Sequence, residues 1–351
     1  MSAQRRALGA APAPLAITMG EPAGIGGEIL LAAWRARAEH ALPPFFAIDD
    51  VDRLKALARR LGLAVPVELV TEPEAARELF ATALPVLHEP LVEEVAPGRP
   101  KGANGSAVLA SIRRAVDLAR AGEAGALITN PIHKKSLYDA GFRYPGHTEY
   151  LAALVESASE PVMMLAVPGL RVVPVTIHLA LAEALARLTT RAIVHCGTVT
   201  AASLARDLGI ARPRLAVAAL NPHSGEEGSM GREEIEIIAP AIETLRGQGI
   251  ETLGPLPADT LFHPRARQRY DAVLCMYHDQ ALIPLKTIDF EHGVNVTLGL
   301  PFVRTSPDHG TAFDIAGEGR ASPASLIAAI ALAGEMATRR ATAGALKPAL
   351  A

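Results

Sequence analysis

Residues 15–34, LAITMGEPAGIGGEILLAAW, decide how the chain is read. A short apolar run, a turn crowded with Gly20, Gly24, Gly26 and Gly27, and an Ala/Leu-rich segment make one strand, turn and helix unit. The theme continues downstream. SAVLASIRRAVDLARA (106–121) has the period of an amphipathic helix and AGALITNP (124–131) reads as a strand ending at a turn. LRVVPVTIH (170–178), PRLAVAALNPH (213–223) and YDAVLCMYH (270–278) are buried-looking strands whose last residues are polar and include a histidine. Short β-rich runs alternating with longer helical ones predict an α/β chain with a mostly parallel sheet. Ligands of such open sheets bind outside the carboxyl ends of the strands, which is where His178, His223 and His278 are aimed.

With 351 residues, 50% hydrophobic and 20% charged, the chain is long enough for two globular lobes. A net charge of -3 without any long block of Lys or Arg lacks the footprint of a nucleic-acid binder, while small anions stay allowed. Cys196 and Cys275 are too few for a disulfide framework and lack metal-site spacing, so both read as core residues in a reducing compartment. MSAQRRALGAAPAP (1–14) is too short and Pro-broken for export or spanning. It is expected to be a disordered leader on a cytoplasmic protein with no membrane partner.

The three histidines lie about 45 and 55 residues apart, too far for a local motif, yet they could converge at one end of a sheet as ligands of zinc or another divalent ion. Asp279 beside His278 could orient or supplement them. Taken singly, each is better explained as a structural histidine bonded to a backbone carbonyl, and it is the triplet that brings a metal level with that reading. The glycine-rich turn GEPAGIGGE (20–28) fits neither the dinucleotide fingerprint nor the P-loop. It is either a tight turn before a helix or a place where backbone N–H groups meet an anion or cofactor. YPGHTEYL (144–151) sets His147 and Thr148 just ahead of a helix, where Thr148 could serve as the N-cap. GVNVTLGLPFVRTSPDHGTAFDIAGEG (293–319) holds Asn295, Arg304, Asp308, His309 and Asp314 between apolar pieces. Lys286, Arg304 and Asn295 make a plausible set for a phosphate or carboxylate, since Arg offers a planar fork and Lys a point charge.

The strings GEPAGIGGE, LITNPIHK, GHTEYLA, LNPHSGEEGSMGREE, GPLPADTLF, MYHDQALIPLK and GVNVTLGLPFVRTSPDHGTAFDIAG, in that order over residues 15 to 335, resemble the 4-hydroxythreonine-4-phosphate dehydrogenase family of vitamin B6 biosynthesis. HGTAFDIAGEG (309–319) is also similar to the adenosine-side cofactor loop of isocitrate and isopropylmalate dehydrogenases. The resemblance implies a two-domain α/β/α sandwich with mixed, mostly parallel sheets and an active site in the interdomain cleft. Residues 15–130 with 300–351 would form the first domain, and 131–299 the second, carrying the metal ligands and dimer interface. It makes His178, His223 and His278 the ligands of one divalent metal (zinc, cobalt or magnesium), with the site completed across a homodimer interface. His147, Thr148, Lys286, Asn295 and Arg304 become the substrate-binding set, with Lys286, His147 and Asp279 the candidates for proton transfer. Gly24, His309, Gly310 and Asp314 are the expected contacts of NAD or NADP.

The reaction so implied is oxidation of 4-phosphohydroxy-L-threonine, a small phosphorylated amino acid, to a β-keto acid that decarboxylates to 3-amino-2-oxopropyl phosphate. The metal would lower the hydroxyl pKa and then take up enolate charge. The rival readings are a dehydrogenase of another phosphorylated hydroxy acid, such as a four-carbon sugar-acid phosphate, a metal-dependent phosphohydrolase, and a non-catalytic metabolite-binding protein.

Overall fold

In the computed structural model the described residues are 12–144, 146–156 and 160–346, so the expected leader lies outside them as far as residue 11. The chain runs through β1 (Leu15–Thr18), β2 (Phe45–Asp49), β3 (Val67–Val70), β4 (Leu84–His88) and β5 (Leu127–Ile128). It continues through β6 (Val162–Val167), β7 (Leu170–Pro174), β8 (Arg214–Ala218), β9 (Glu251–Leu256), β10 (Ala272–Cys275) and β11 (Val294–Leu298), and returns with β12 (Arg304–Pro307). Two compact units result, one of residues up to 158 with those from 300 on, the other of residues 159–299.

The sheet of the first unit has the order β3-β4-β2-β1-β5-β12 with every pairing parallel. All four residues of β1 are buried, so both faces of the sheet are covered, as a parallel sheet requires. On one face Val108, Ile112, Ala115 and Val116 of helix Gly105–Ala121 recur at helical spacing and pack with Ala16, Phe46, Ile48 and Leu127. Helix Ala324–Leu346 packs on β12, β5 and β1, and Thr305 Oγ1 donates to Ala329 O at 2.9 Å.

The boundary between the units falls later along the chain than the expected residue 130. Helices Lys134–Asp139 and His147–Leu154 belong with the first unit because Leu137, Phe142, Tyr150 and Leu151 complete its core. Each such side chain contributes about 1.5–3 kcal/mol by leaving water, which decides where the segment settles.

The sheet of the second unit has the order β11-β6-β7-β10-β8-β9. Pairings β11/β6 and β6/β7 are antiparallel, while β7/β10, β10/β8 and β8/β9 are parallel. The fold is therefore α/β with mixed, mostly parallel strands. Leu165, Val172, Ala216, Val273 and Cys275 form its core with Ala281 and Leu285 of helix His278–Ile288. Cys196 and Cys275 are both buried and unpaired. Among the described residues no helix is long and apolar enough to cross a membrane.

Candidate functional site

The second unit holds the histidines. Strands β7, β10 and β8 are consecutive in the sheet and parallel, and each is followed within a few residues by one of them: His178, His278 and His223. The strands themselves stop at Pro174, Cys275 and Ala218, shorter than the apolar runs suggested, and His278 opens the helix His278–Ile288. The rings of His178 and His278 are 5.9 Å apart, and both residues line a cavity of about 240 Å³ with Thr176, Tyr277 and Asp279. His278 Nδ1 lies 2.6 Å from Asp279 Oδ1. That contact leaves Nε2 as the nitrogen for a ligand, which is how ligating imidazoles are usually oriented. Asp279 is thus placed to position His278.

His178 and His223 both sit at positive φ, 52° and 51°, which branched and bulky side chains avoid. His223 begins a left-handed turn, residues 223–227, whose φ values run from 41° to 77°. Such backbone costs roughly 1–2 kcal/mol per residue and persists only when its surroundings over-determine it. Here the anchor is Glu234, 3% exposed, whose Oε1 accepts from Leu220 N (2.8 Å) and Asn221 N (2.7 Å) while Oε2 accepts from Asn221 Nδ2 (2.9 Å). Gln280 bridges the two strand ends, accepting from Met276 N and donating to Ala219 O at 2.7 Å each.

Among the described residues no group of three His, Cys, Asp or Glu is close enough to hold a metal as they stand. The donors nonetheless fit a divalent ion in kind. Two rings share one cavity, one of them is oriented by a carboxylate, and the third follows the neighbouring strand on a strained turn. Lys286 lies two turns along the His278 helix on the face of Asp279, with its ammonium 5.5 Å from the centre of the Phe290 ring. Asn295 is in β11 opposite Leu165, and its buried Oδ1 has no hydrogen-bond partner among the described residues.

The first unit holds the rest of the expected set. Arg304 starts β12 at 3% exposure and donates from Nη2 to Thr129 Oγ1 at 2.6 Å. Burial pulls its pKa down to about 10, opposed by the nearby Glu149 carboxylate. His147 is the first residue of helix His147–Leu154, with Gly146 as the cap, so Thr148 sits inside the first turn instead of capping it. The His147 Nε2 is buried without a partner among the described residues, and burial, reinforced by Arg304, holds its pKa well below the usual histidine range. A neutral imidazole and a cation therefore stand together at this end of the sheet.

Three loops follow the adjacent strands β1, β5 and β12 and pack on one another. A Cβ at Gly24 would lie 2.9 Å from Thr311 O, and Ile25 N donates to that same oxygen at 3.1 Å. Gly20, at φ +64°, is pressed against Asn130 and Pro131, where a Cβ would meet atoms at 2.7 Å. His309 Nδ1 is 3.1 Å from Gly310 O and its Nε2 is buried without a partner among the described residues, whereas Gly310 and Asp314 are exposed. A glycine contact that admits no side chain, a loop at the carboxyl ends of parallel strands and an orphaned ring nitrogen fit a bound dinucleotide. Thr129, Asn130 and the buried Glu21 were not singled out from residue types. Their signal is local, polar residues at the ends of apolar runs in MGEP and LITNP, but their partners, Arg304 for Thr129, Thr18 for Asn130 and Pro131 for Glu21, lie far along the chain and no local pattern carries them.

Comparison with known proteins accords with this geometry. The family model described as pyridoxal phosphate biosynthetic protein PdxA matches residues 42–333. The chain is 56% identical over 332 residues to the 4-hydroxythreonine-4-phosphate dehydrogenase of Caulobacter vibrioides, covering 93% of this chain and 98% of the relative. It is 55% identical over 337 residues to that of Bradyrhizobium diazoefficiens, again covering 93% and 98%. Among solved structures, 4-hydroxythreonine-4-phosphate dehydrogenase from Klebsiella pneumoniae superposes with a TM-score of 0.84 at 39% identity, over 93% of this chain and 98% of that one. Matched across both units at this identity, the chain belongs to the pyridoxal phosphate biosynthetic protein PdxA family.

Proposed function

We propose that the protein is a 4-hydroxythreonine-4-phosphate dehydrogenase that oxidises 4-phosphohydroxy-L-threonine to a β-keto acid, which loses carbon dioxide to give 3-amino-2-oxopropyl phosphate. The observation that carries this reading is the placement of His178, His278 and His223 after three neighbouring parallel strands, in a chain of this family. His178, His223 and His278 would hold a divalent cation, which supplies Lewis acidity toward the substrate's hydroxyl and carboxylate oxygens, while the nicotinamide ring supplies the hydride acceptor. Asp279 fixes the His278 ring so that Nε2 stays available. Lys286, on the same helix, accepts the hydroxyl proton or offsets the charge that develops there.

Arg304 grips an anionic end of the substrate, supported by Thr148, while the orphaned Asn295 Oδ1 seeks a substrate N–H or O–H donor. His147 stays neutral beside it and so can accept a hydrogen bond from a substrate N–H or O–H. Gly24 and the 309–314 loop take the dinucleotide. The decisive assay follows absorbance of reduced nicotinamide when the protein meets 4-phosphohydroxy-L-threonine and NAD+ or NADP+, with and without a chelator. Turnover that a chelator abolishes and a divalent ion restores is expected; a metal-loaded, folded protein without turnover overturns the reading.

The working form is a homodimer, an assignment supported by the apolar side chains the second unit leaves in water: Ile283 is 64% exposed, Phe290 77% and Leu181 58%. Light scattering is expected to give twice the chain mass, and Phe290→Asp to shift it toward one chain; an unshifted dimer places the contact elsewhere.

A further inference from the structure

A cluster in the first unit remains outside the roles assigned so far. Glu21, in the glycine-rich turn, is 3% exposed, and Ser136, in the short helix Lys134–Asp139, is 5% exposed. Their side chains are hydrogen-bonded, and Glu21 Oε1 also accepts from Ala23 N at 3.2 Å. Ser136 Oγ in turn lies 2.9 Å from His133 Nδ1. The His133 ring stands edge-on to Phe313, centroids 5.0 Å apart at 89°, which sets it against the loop expected to take the dinucleotide. Among the described residues its ring hydrogen bond is through Nδ1, so Nε2 is the nitrogen left for a ligand.

Proton counting fixes what that nitrogen can do. Burial pushes the Glu21 pKa up, and donors from Ala23 N and Ser136 with the charge of Arg53 offset part of that rise by acting on the carboxylate form. A carboxylate only accepts, so the single hydroxyl proton of Ser136 goes to Glu21. Ser136 Oγ is then an acceptor, and the proton of a neutral His133 resides on Nδ1. Nε2 is left as a bare lone pair, which suits a neutral donor such as a ribose hydroxyl or a carboxamide N–H and repels a phosphate.

We infer that His133, held in its Nδ1–H form by the Ser136 and Glu21 relay, is a further dinucleotide-binding residue whose Nε2 accepts a hydrogen bond from a hydroxyl or amide N–H of the cofactor. The inference rests on the dehydrogenase reading. It deepens that reading by giving the relay residues a positioning role.

The test is equilibrium binding by titration calorimetry, independent of turnover, using NAD+, NADP+ and ADP-ribose on the full chain. With the dinucleotide the unaltered protein prefers, His133→Ala is expected to raise Kd roughly five- to tenfold, the value of one neutral hydrogen bond. His133→Gln, whose side-chain oxygen can still accept, is expected to recover most of that loss. Nitrogen-15 spectra of the His133 ring should show the Nδ1–H tautomer, and Ser136→Ala should shift it toward Nε2–H with a smaller rise in Kd. Loss for the dinucleotide but not for ADP-ribose would assign the donor to the carboxamide; loss for both would assign it to the adenosine diphosphoribose part. Unchanged Kd in a His133→Ala variant with unaltered melting, or an Nε2–H ring in the unaltered protein, overturns the inference. Failure of the unaltered protein to bind either dinucleotide overturns the dehydrogenase reading instead, and the inference with it.

Discussion

Arg304 and His147 show how one buried position conditions another. A guanidinium at 3% exposure is expensive to desolvate, and its pKa of about 10 records that expense even with Glu149 nearby. An anionic substrate group would offset it, so Arg304→Lys, which keeps the charge and loses the planar fork, is expected to raise KM by roughly 10- to 100-fold with kcat less affected. Steady-state kinetics check this, and an unchanged KM would remove Arg304 from the substrate set. The same burial, with Arg304 adding to it, makes protonation of His147 unfavourable in the folded protein. Its folded pKa lies below the unfolded value near 6.5, so the unfolded chain binds the extra proton first as pH drops. Stability is therefore unaffected by this group above that value and falls as pH is lowered from it toward the folded pKa. His147→Gln is expected to flatten that part of the stability curve; melting temperatures of both proteins between pH 7 and pH 5 that run parallel would refute it.

At the scale of elements, the helix His278–Ile288 concentrates much of the second unit's chemistry: His278 and Asp279 in its first turn, the bridging Gln280, and Lys286 two turns on. Its buried face of Ala281 and Leu285 fixes the rotation that presents them. If Asp279 acts by orienting His278, Asp279→Ala should lower the affinity for a divalent ion about 10- to 100-fold while leaving the helix intact. Calorimetric titration with zinc or cobalt measures this, and undiminished affinity would return Asp279 to other roles. The histidine-ended apolar runs made these strands and their polar ends legible in the sequence, because apolar runs and abrupt polarity are local signals. The left-handed turn at His223 was not, since its φ values depend on Glu234, Leu220 and Asn221 meeting in three dimensions. Nor was the allegiance of residues 131–156: short helices carry too few core positions to show whose core they enter, and only contacts such as Leu137 and Tyr150 with the first unit's cluster decide it.

For the whole molecule, the chain makes two α/β units, one with an all-parallel sheet and one with a mixed sheet. Each brings polar loops to the carboxyl ends of parallel strands, the first at β1, β5 and β12, the second at β7, β10 and β8. The class of fold follows from alternating period alone, whereas the return of the chain through β12 into the first sheet is a long-range fact that no local pattern encodes. This division makes the second unit the one whose stability a divalent ion should control. His178 and His223 both hold strained backbone, and His223 must be ordered with its turn for three imidazoles to act together. An ion that binds only the folded arrangement adds about 2.7 kcal/mol at a hundred times its Kd, and for a unit of this size that corresponds to a rise of roughly 5–10 °C. Scanning calorimetry of the chelated and ion-saturated protein should show that rise in the transition of the second unit, and His223→Ala should abolish most of it. A rise that survives His223→Ala would mean that the ion is held without the third strand's histidine, and the ligand set would then have to be redrawn around His178 and His278.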